Sequence, residues 1–403
     1  MQPKVVLKKA ERTVPAGIEG TTVLLATCAG GMEQLLEREL ASLHHPVVER
    51  RRGALYFRGT LADLLPLNRA LRTASRLLLP LTEVRTQDYT ALYRALLEIP
   101  WEEIVPVDAT FAISASSRSR ELRDHRFLAM RVKDAIVDRQ RDRRNGRRAS
   151  VDRDTPQLMI VVHAESTGVS LSLDASGEPL HERGYRTEAG EAPLRETLAA
   201  AMVMTALEGT GVRAIVDPFC GSGTIPIEAA LIVSGRLPGE LGRRYACSRW
   251  PWLRRSASTP TSHPEKDSGS TGGMPRIIAS DRDAAMVELA RRNARRAGVE
   301  ALITFAVSPA AELPVLLERE LGRDYDGSLT RVVTNPPWGE RLQPDDLEEI
   351  FRDFGTALRG ISSPAWVLCT ENAPVDRLGI QPRHRTPLYN GGLKCSLLEV
   401  DPG

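Results

Sequence analysis

Apolar positions along this chain follow a helical period in some stretches and run together or alternate in others. In TTVLLATCAGGMEQLLERELASL a short apolar run meets a glycine pair, after which Met32, Leu35, Leu36 and Leu40 share one helical stripe. The pattern predicts a strand, a turn and an amphipathic helix. GALYFRG predicts another strand, and TLADLLPLNRALRTASRLLLPL predicts helical pieces broken at Pro66. From ALYRALLEIPWEEI to TFAISAS the expectation is a helix, then a strand; VKDAIVDRQRD reads as a helix, LMIVVHAE and GVSLSLDASG as strands. With no glycine-rich βα loop among them, these elements suggest small α+β units.

Near residue 190 the pattern changes. APLRETLAAAMVMTALEG predicts a long helix that Gly209 ends. RAIVDPFCGSGTIPIEAALIV then reads as strand, glycine-rich turn and helix, and RIIASDRDAAMVELARRNARRAGV and ALITFAVSPAAEL continue the alternation. RVVTNPPWGERL, PAWVLCTEN and CSLLEV supply later strands, the signature of a doubly wound, mostly parallel sheet. The stretch SASTPTSHPEKDSGSTGG, within residues 254–274, is almost free of apolar side chains and predicts a disordered surface insertion.

Composition narrows the class without deciding it. The 403 residues are 42% hydrophobic and 26% charged, with a net charge of +2, as in an ordinary globular protein of two or three domains. Five scattered cysteines contain no C-x-x-C pair, which excludes a four-cysteine zinc site and points to a reducing compartment. His44, His45, His163 and His181 lack metal-ligand spacing, so no metal is expected. No apolar run approaches 18 residues, and the first twenty lack a signal-peptide core, so the expected location is cytoplasmic, with no membrane span.

The chemistry begins in AIVDPFCGSGT. An apolar strand ends at Asp217 and turns through Gly221 and Gly223 into a helix whose N-terminus offers free N–H groups. A dinucleotide fingerprint fails because Pro226 stands where a third glycine would be needed, and no Gly-Lys-Ser/Thr follows to make a phosphate loop. Asp217 would repel a pyrophosphate but attract a cationic ligand. Asp281, ending the next strand in IIASDRD, can accept from two ribose hydroxyls. S-adenosyl-L-methionine, cationic and without phosphate, matches both acids. Taken singly, each acid could equally be a helix cap.

RVVTNPPWGERL closes the argument. Two prolines after Asn335 stiffen the turn, so that the Asn335 side-chain oxygen and the Pro336 carbonyl can converge as acceptors for an exocyclic amino group of a nucleobase. Trp338 offers a flat face for an extruded base. The turn suits the amino group of guanine or of adenine.

DPFCGSGT, SDRDAAMVELARRNARRAG and TNPPWGERL resemble the Rossmann-like, class I guanine-N2 RNA methyltransferases that carry a THUMP domain. VDRDTPQLMIVVHAESTGVSLSLDASGEPLHERGYR resembles the end of a THUMP domain and its exit linker, and TVLLATCAGGMEQLLERELASL the ferredoxin-like piece of the same proteins. The resemblance is nearest to the module acting on 23S ribosomal RNA, the RlmL type. It implies a ferredoxin-like region over residues 20–64, a THUMP RNA-binding domain over 65–176 and a methyltransferase domain over 177–403, with no room after CSLLEVDPG for the second methyltransferase domain of some relatives. Cofactor contacts are implied at Asp217, Cys220, Gly221, Gly223 and Asp281, and target-base contacts at Asn335, Pro336 and Trp338. Two positions depart from the family: Trp338 replaces a usual Tyr, and Pro309 stands where many relatives have an Asp for the adenine amino group, leaving Glu312 or a backbone carbonyl to substitute.

Between Ser117 and Arg153 basic residues far outnumber acidic ones, and Arg143, Arg144, Arg147 and Arg148 crowd one Asn-Gly turn, an expected phosphate contact. A solvated charged face is the plain alternative. The expected function is methyl transfer from S-adenosyl-L-methionine to guanine N2, in 23S rRNA. The alternatives are a tRNA guanine-N2 methyltransferase, an N6-adenine methyltransferase and a non-catalytic RNA-binding assembly factor.

Overall fold

The computed structural model describes residues 20–186, 194–209, 211–253, 273–337 and 343–402. The expected insertion therefore falls mostly outside the described residues.

Eight described strands form the first sheet: β1 (Thr22–Thr27), β2 (Val47–Arg51), β3 (Ala54–Gly59), β4 (Arg76–Val84), β5 (Thr110–Ser117), β6 (Ser150–Val151), β7 (Leu158–Glu165) and β8 (Gly168–Asp174). Their spatial order is β2-β3-β1-β4-β8-β7-β5-β6, so the ferredoxin-like and THUMP pieces share one continuous sheet through the β4–β8 pairing. Helices α1 (Glu33–Ser42), α2 (Leu64–Ala70), α3 (Tyr89–Leu97), α4 (Trp101–Ile104) and α5 (His125–Arg143) bury Leu36, Leu64, Leu92 and Leu128 in a core with Leu24, Phe57, Leu79 and Leu171 of the sheet. Alternate positions along the same strands, among them Thr27, Tyr56, His163 and Ser170, line an open cleft instead.

One expectation is corrected here. RLLLPL, placed among helical pieces, lies in β4, a central strand paired with β1 and β8. A run with leucines on both strand faces, Leu77 and Leu79 in the core and Leu78 toward the cleft, has no period that separates it from a buried helix, and Pro80 is tolerated because the pairing with β8 shifts register there.

The second sheet contains β9 (Ala214–Asp217), β10 (Arg276–Asp281), β11 (Ile303–Val307), β12 (Thr330–Thr334), β13 (Ala365–Thr370), β14 (Pro382–Asn390) and β15 (Leu393–Val400), ordered β11-β10-β9-β12-β13-β15-β14. Only β15 runs against the others. Successive residues face opposite cores: Ile215 and Ile277 join one, Val216 and Ile278 the other. Helices α6 (Glu196–Ala206), α7 (Thr224–Val233) and α8 (Ala284–Arg296) cover the first side, while α9 (Leu313–Leu321) and α10 (Pro344–Ile361) cover the second, as a doubly wound sheet requires. The chain winds outward from β9 in both directions, so the crevice beyond the carboxyl ends of β9 and β12 is the topological switch point.

The two sheets meet through polar contacts around Arg72. The Arg72 guanidinium, next to α2, donates to the carbonyls of Leu231 and Arg236, and Arg183 donates to the Arg72 carbonyl at 2.6 Å. No helix among the described residues is long and apolar enough to cross a membrane.

Candidate active site

A cleft of about 360 Å³ opens at the switch point, the size of a small-ligand site. Gly221, Asp281, Pro309 and Asn335 line it together, from four separate strand ends.

The first wall is the glycine turn after β9. Gly221 has φ +49, and a Cβ there would meet nothing within 4 Å, so the turn faces open space. Its N–H donates to Asp281 Oδ2 at 3.0 Å. Gly223 is different: at φ +86 an added Cβ would lie 2.9 Å from Ala290 Cβ on α8, so this glycine permits close helix packing. Asn293, fully buried on α8, donates from Nδ2 to the Ser222 carbonyl at 2.9 Å and fixes the turn from behind. Cys220 is buried, its N–H bonded to the Ser280 carbonyl, and burial pushes its thiol well above the usual range.

Asp217 and Asp281 stand in contrasting settings. Asp217 is 2% exposed and lies behind the cleft lining; its Oδ1 accepts from the Thr334 hydroxyl at 2.6 Å and from the Phe219 N–H at 3.1 Å. Burial raises its pKa to about 7, with the nearby Asp281 charge adding to the rise. Asp281 lines the cleft; besides Gly221, its Oδ1 accepts from the Asp283 N–H at 3.0 Å. Each oxygen keeps a lone pair for a further donor.

The third wall is the corner after β12. Asn335 lines the cleft, and its Oδ1 is buried with no hydrogen-bond partner among the described residues. An orphaned acceptor of this kind calls for a donor. Pro336 is buried behind it and Pro337 lines the cleft. Trp338 lies outside the described residues.

Pro309, Ala310 and Ala311 form the side where the family's acid is missing; Glu312 is exposed and is not among the lining residues. Ile350 and Asp353 of α10, which packs against this turn, complete the lining with the exposed Arg282. Sequence reasoning missed Ile350 and Asp353 because no motif marks α10 as a cleft wall; Arg282 lay inside the IIASDRD motif. Phe219, another lining residue, lies in the AIVDPFCGSGT loop; it packs edge-on against Phe354 of α10 with ring centroids 5.1 Å apart.

Arg143, Arg144, Arg147 and Arg148 are not at this cleft. They are exposed at the end of α5, where Asn145 (φ +52) and Gly146 (φ +78) turn the chain toward the edge strand β6. Arg143 pairs with Asp142 at 3.3 Å, and Arg148 donates to the Ala149 carbonyl.

Known proteins match this arrangement over nearly the whole chain. Residues 23–78 match the RlmL ferredoxin-like domain, 86–174 the THUMP domain, and 183–399 the RMKL-like methyltransferase domain. The chain is 37% identical over 385 residues to the ribosomal RNA large subunit methyltransferase K/L of Syntrophotalea carbinolica, a match covering 93% of this chain and 53% of that protein. The chain thus spans about half the length of that curated relative. A possible methylase from Clostridium difficile 630 superposes with a TM-score of 0.81 at 28% identity, covering 95% of this chain and 98% of the other. A methyltransferase solved with SAH superposes with a TM-score of 0.78 at 25% identity, covering 94% and 97%. With a domain match over 183–399 of its 403 residues, laid on this sheet order and these three loops, the chain belongs to the RMKL-like methyltransferase-domain family.

Proposed function

We propose that this chain is an RNA methyltransferase that takes its methyl group from S-adenosyl-L-methionine and delivers it to the exocyclic N2 of a guanine, in 23S rRNA. The observation that carries the reading is the buried Asn335 Oδ1, without a hydrogen-bond partner among the described residues, in the same cleft as Gly221 and Asp281. Support for the rRNA substrate comes from the ribosomal RNA methyltransferase to which the chain is 37% identical and from the THUMP match.

The residues suit the cofactor. The open face at Gly221 admits a ligand chain close to the backbone, Asp281 has acceptor capacity for two ribose hydroxyls, and Asp217 offers negative charge at the end of β9. When bound, the cofactor supplies an electrophilic sulfonium methyl. Asn335 Oδ1 and the Pro336 carbonyl accept the two hydrogens of the target amine, which draws its nitrogen toward tetrahedral geometry and aims the lone pair into the cleft. The methylated amine would carry a positive charge and release its proton to solvent, so no strong base is required. Positioning does most of the work. We assign base stacking to Trp338, and contact with the adenine end to the wall at Pro309–Ala311.

The test is transfer of tritium from labelled S-adenosylmethionine to unmodified ribosomal RNA, followed by nucleoside analysis. Label in N2-methylguanosine is expected; label in N6-methyladenosine overturns the base assignment, and label on tRNA alone overturns the substrate.

A further inference from the structure

A second cleft, of about 840 Å³, lies on the open face of the first sheet. A mostly antiparallel sheet with one solvated face is ordinary. This one is unusual in its charge and in what closes it. Five arginines line it against two glutamates, and both glutamates are engaged: Glu83 with Arg51 at 3.3 Å and Glu165 with the His163 ring at 3.1 Å. Arg52, Arg118 and Arg195 form no ion pair among the described residues. Two tyrosines interleave with the cations. The Arg51 guanidinium sits 4.8 Å from the Tyr56 ring centroid and that of Arg52 5.6 Å from the Tyr389 centroid, with Arg52 Nη2 donating to the Tyr389 hydroxyl at 3.1 Å.

Tyr389 and Arg195 come from the methyltransferase half. Tyr389 is the penultimate residue of β14, a strand that docks so tightly that a Cβ on Gly31 would fall 2.2 Å from the Pro387 carbonyl oxygen. The register places its turn into β15 at the catalytic end of the second sheet: β14 runs parallel to β12, and Asn390 pairs with Leu393 beyond the Leu388–Cys395 and Thr370–Cys395 pairs. Between β12 and β14 lie β13 and β15, a lateral separation of about 15 Å at the usual strand spacing. A strand of nucleic acid lying in the cleft is thus led toward Asn335.

We propose that this cleft, and not the arginine turn at 143–148, holds the single-stranded RNA next to the target nucleotide, with phosphates on Arg52, Arg118 and Arg195 and a base stacked on Tyr389. The inference rests on the RNA methyltransferase reading above. Guanidinium and ring alternate as phosphate and base do in the ligand, and on the floor the Ser116 hydroxyl, bonded to the His163 ring, and the Ser170 hydroxyl, donating to the His163 carbonyl, keep lone pairs for 2′-hydroxyl donors. An anionic ligand without bases would use the arginines but leave the tyrosines idle.

The experiment measures binding of the full chain to fluorescein-labelled oligo(U), with a paired RNA hairpin as comparison, across a salt series. The triple variant Arg52→Ala, Arg118→Ala, Arg195→Ala is expected to lose about tenfold or more in affinity and to flatten the log–log salt slope by about 2, three single-strand phosphate contacts at roughly 0.7 each. The matching triple Lys variant should restore most of the slope, which separates lost charge from lost fold. Tyr389→Leu should lose about tenfold with the slope unchanged, since stacking releases no counterions. The Arg144→Ala, Arg147→Ala pair should bind as the parent does. Unchanged affinity in the triple Ala variant, or a loss confined to the Arg144 and Arg147 pair, overturns the proposal. Calorimetry with S-adenosylmethionine runs in parallel: absence of cofactor binding to the parent chain defeats the methyltransferase reading, whatever the RNA data show.

Discussion

The backbone N–H of Gly221 donates to Asp281 Oδ2 across 3.0 Å, joining the loop after β9 to the end of β10. One carboxylate thereby braces the glycine turn and faces the cleft. Replacing Asp281 with Ala removes both roles. The expected loss in cofactor affinity is about 1.5–3 kcal/mol, the usual worth of a hydrogen bond to a charged group, or roughly ten- to a hundredfold in Kd. Calorimetry checks it, and parent-like affinity would show that Asp281 only braces the turn.

Asn335 is expected to act on the rate. Its buried Oδ1 has no hydrogen-bond partner among the described residues, which leaves it to the target amine under the proposed function. Asn335→Ala should lower kcat by about a hundred- to a thousandfold, as loss of one preorganised polar contact does elsewhere, while cofactor Kd stays within about twofold. Single-turnover methyl transfer with saturating RNA provides the measurement, and an unchanged rate removes Asn335 from the mechanism.

Asp217 supplies a pH dependence. Burial holds its folded pKa at about 7, well above the value of an unfolded aspartate, so the native state keeps a proton that the unfolded chain releases. This contribution to stability is fully present below about pH 4 and is lost as pH rises to about 7. A cationic ligand nearby favours the carboxylate and reverses the trend. The rise in Tm at saturating S-adenosylmethionine should therefore be larger near pH 8 than near pH 6, and Asp217→Asn should erase the difference. Equal shifts at both pH values in the parent protein would place the ligand's positive charge elsewhere.

Gly223→Ala tests packing rather than chemistry. A methyl at this position meets Ala290 Cβ at 2.9 Å on a left-handed backbone. Destabilisation of about 1–3 kcal/mol is expected from overpacking and strain, read as a lowered denaturant midpoint. Gly221→Ala, with nothing within 4 Å, avoids that clash and should cost less stability but more cofactor affinity.

The linear order of residues determined a good deal. The alternation after residue 190 indicated a doubly wound sheet, and the Asp217 loop, Asp281 and the Asn335 corner announced three strand ends, because each is a local pattern of apolar run, acid and turn residue. DPFCGSGT, SDRDAAMVELARRNARRAG and TNPPWGERL carried the family resemblance. Tertiary structure decided the rest. RLLLPL became a strand because β1 and β8 lie on either side of it, a fact no window of sequence contains. PRHRTPLYN, with two prolines, gave no strand signal and yet forms β14 at the sheet edge. Gly221 and Gly223 look alike in the chain but face open space and a helix respectively. Phe219 meets α10, Asp217 meets Thr334, and Arg52 meets Tyr389 across 337 positions, so cleft walls and partners arise from contacts between segments far apart in the chain. Local sequence carries torsional preference and periodicity; which distant side chains share a cavity follows from how the two sheets pack.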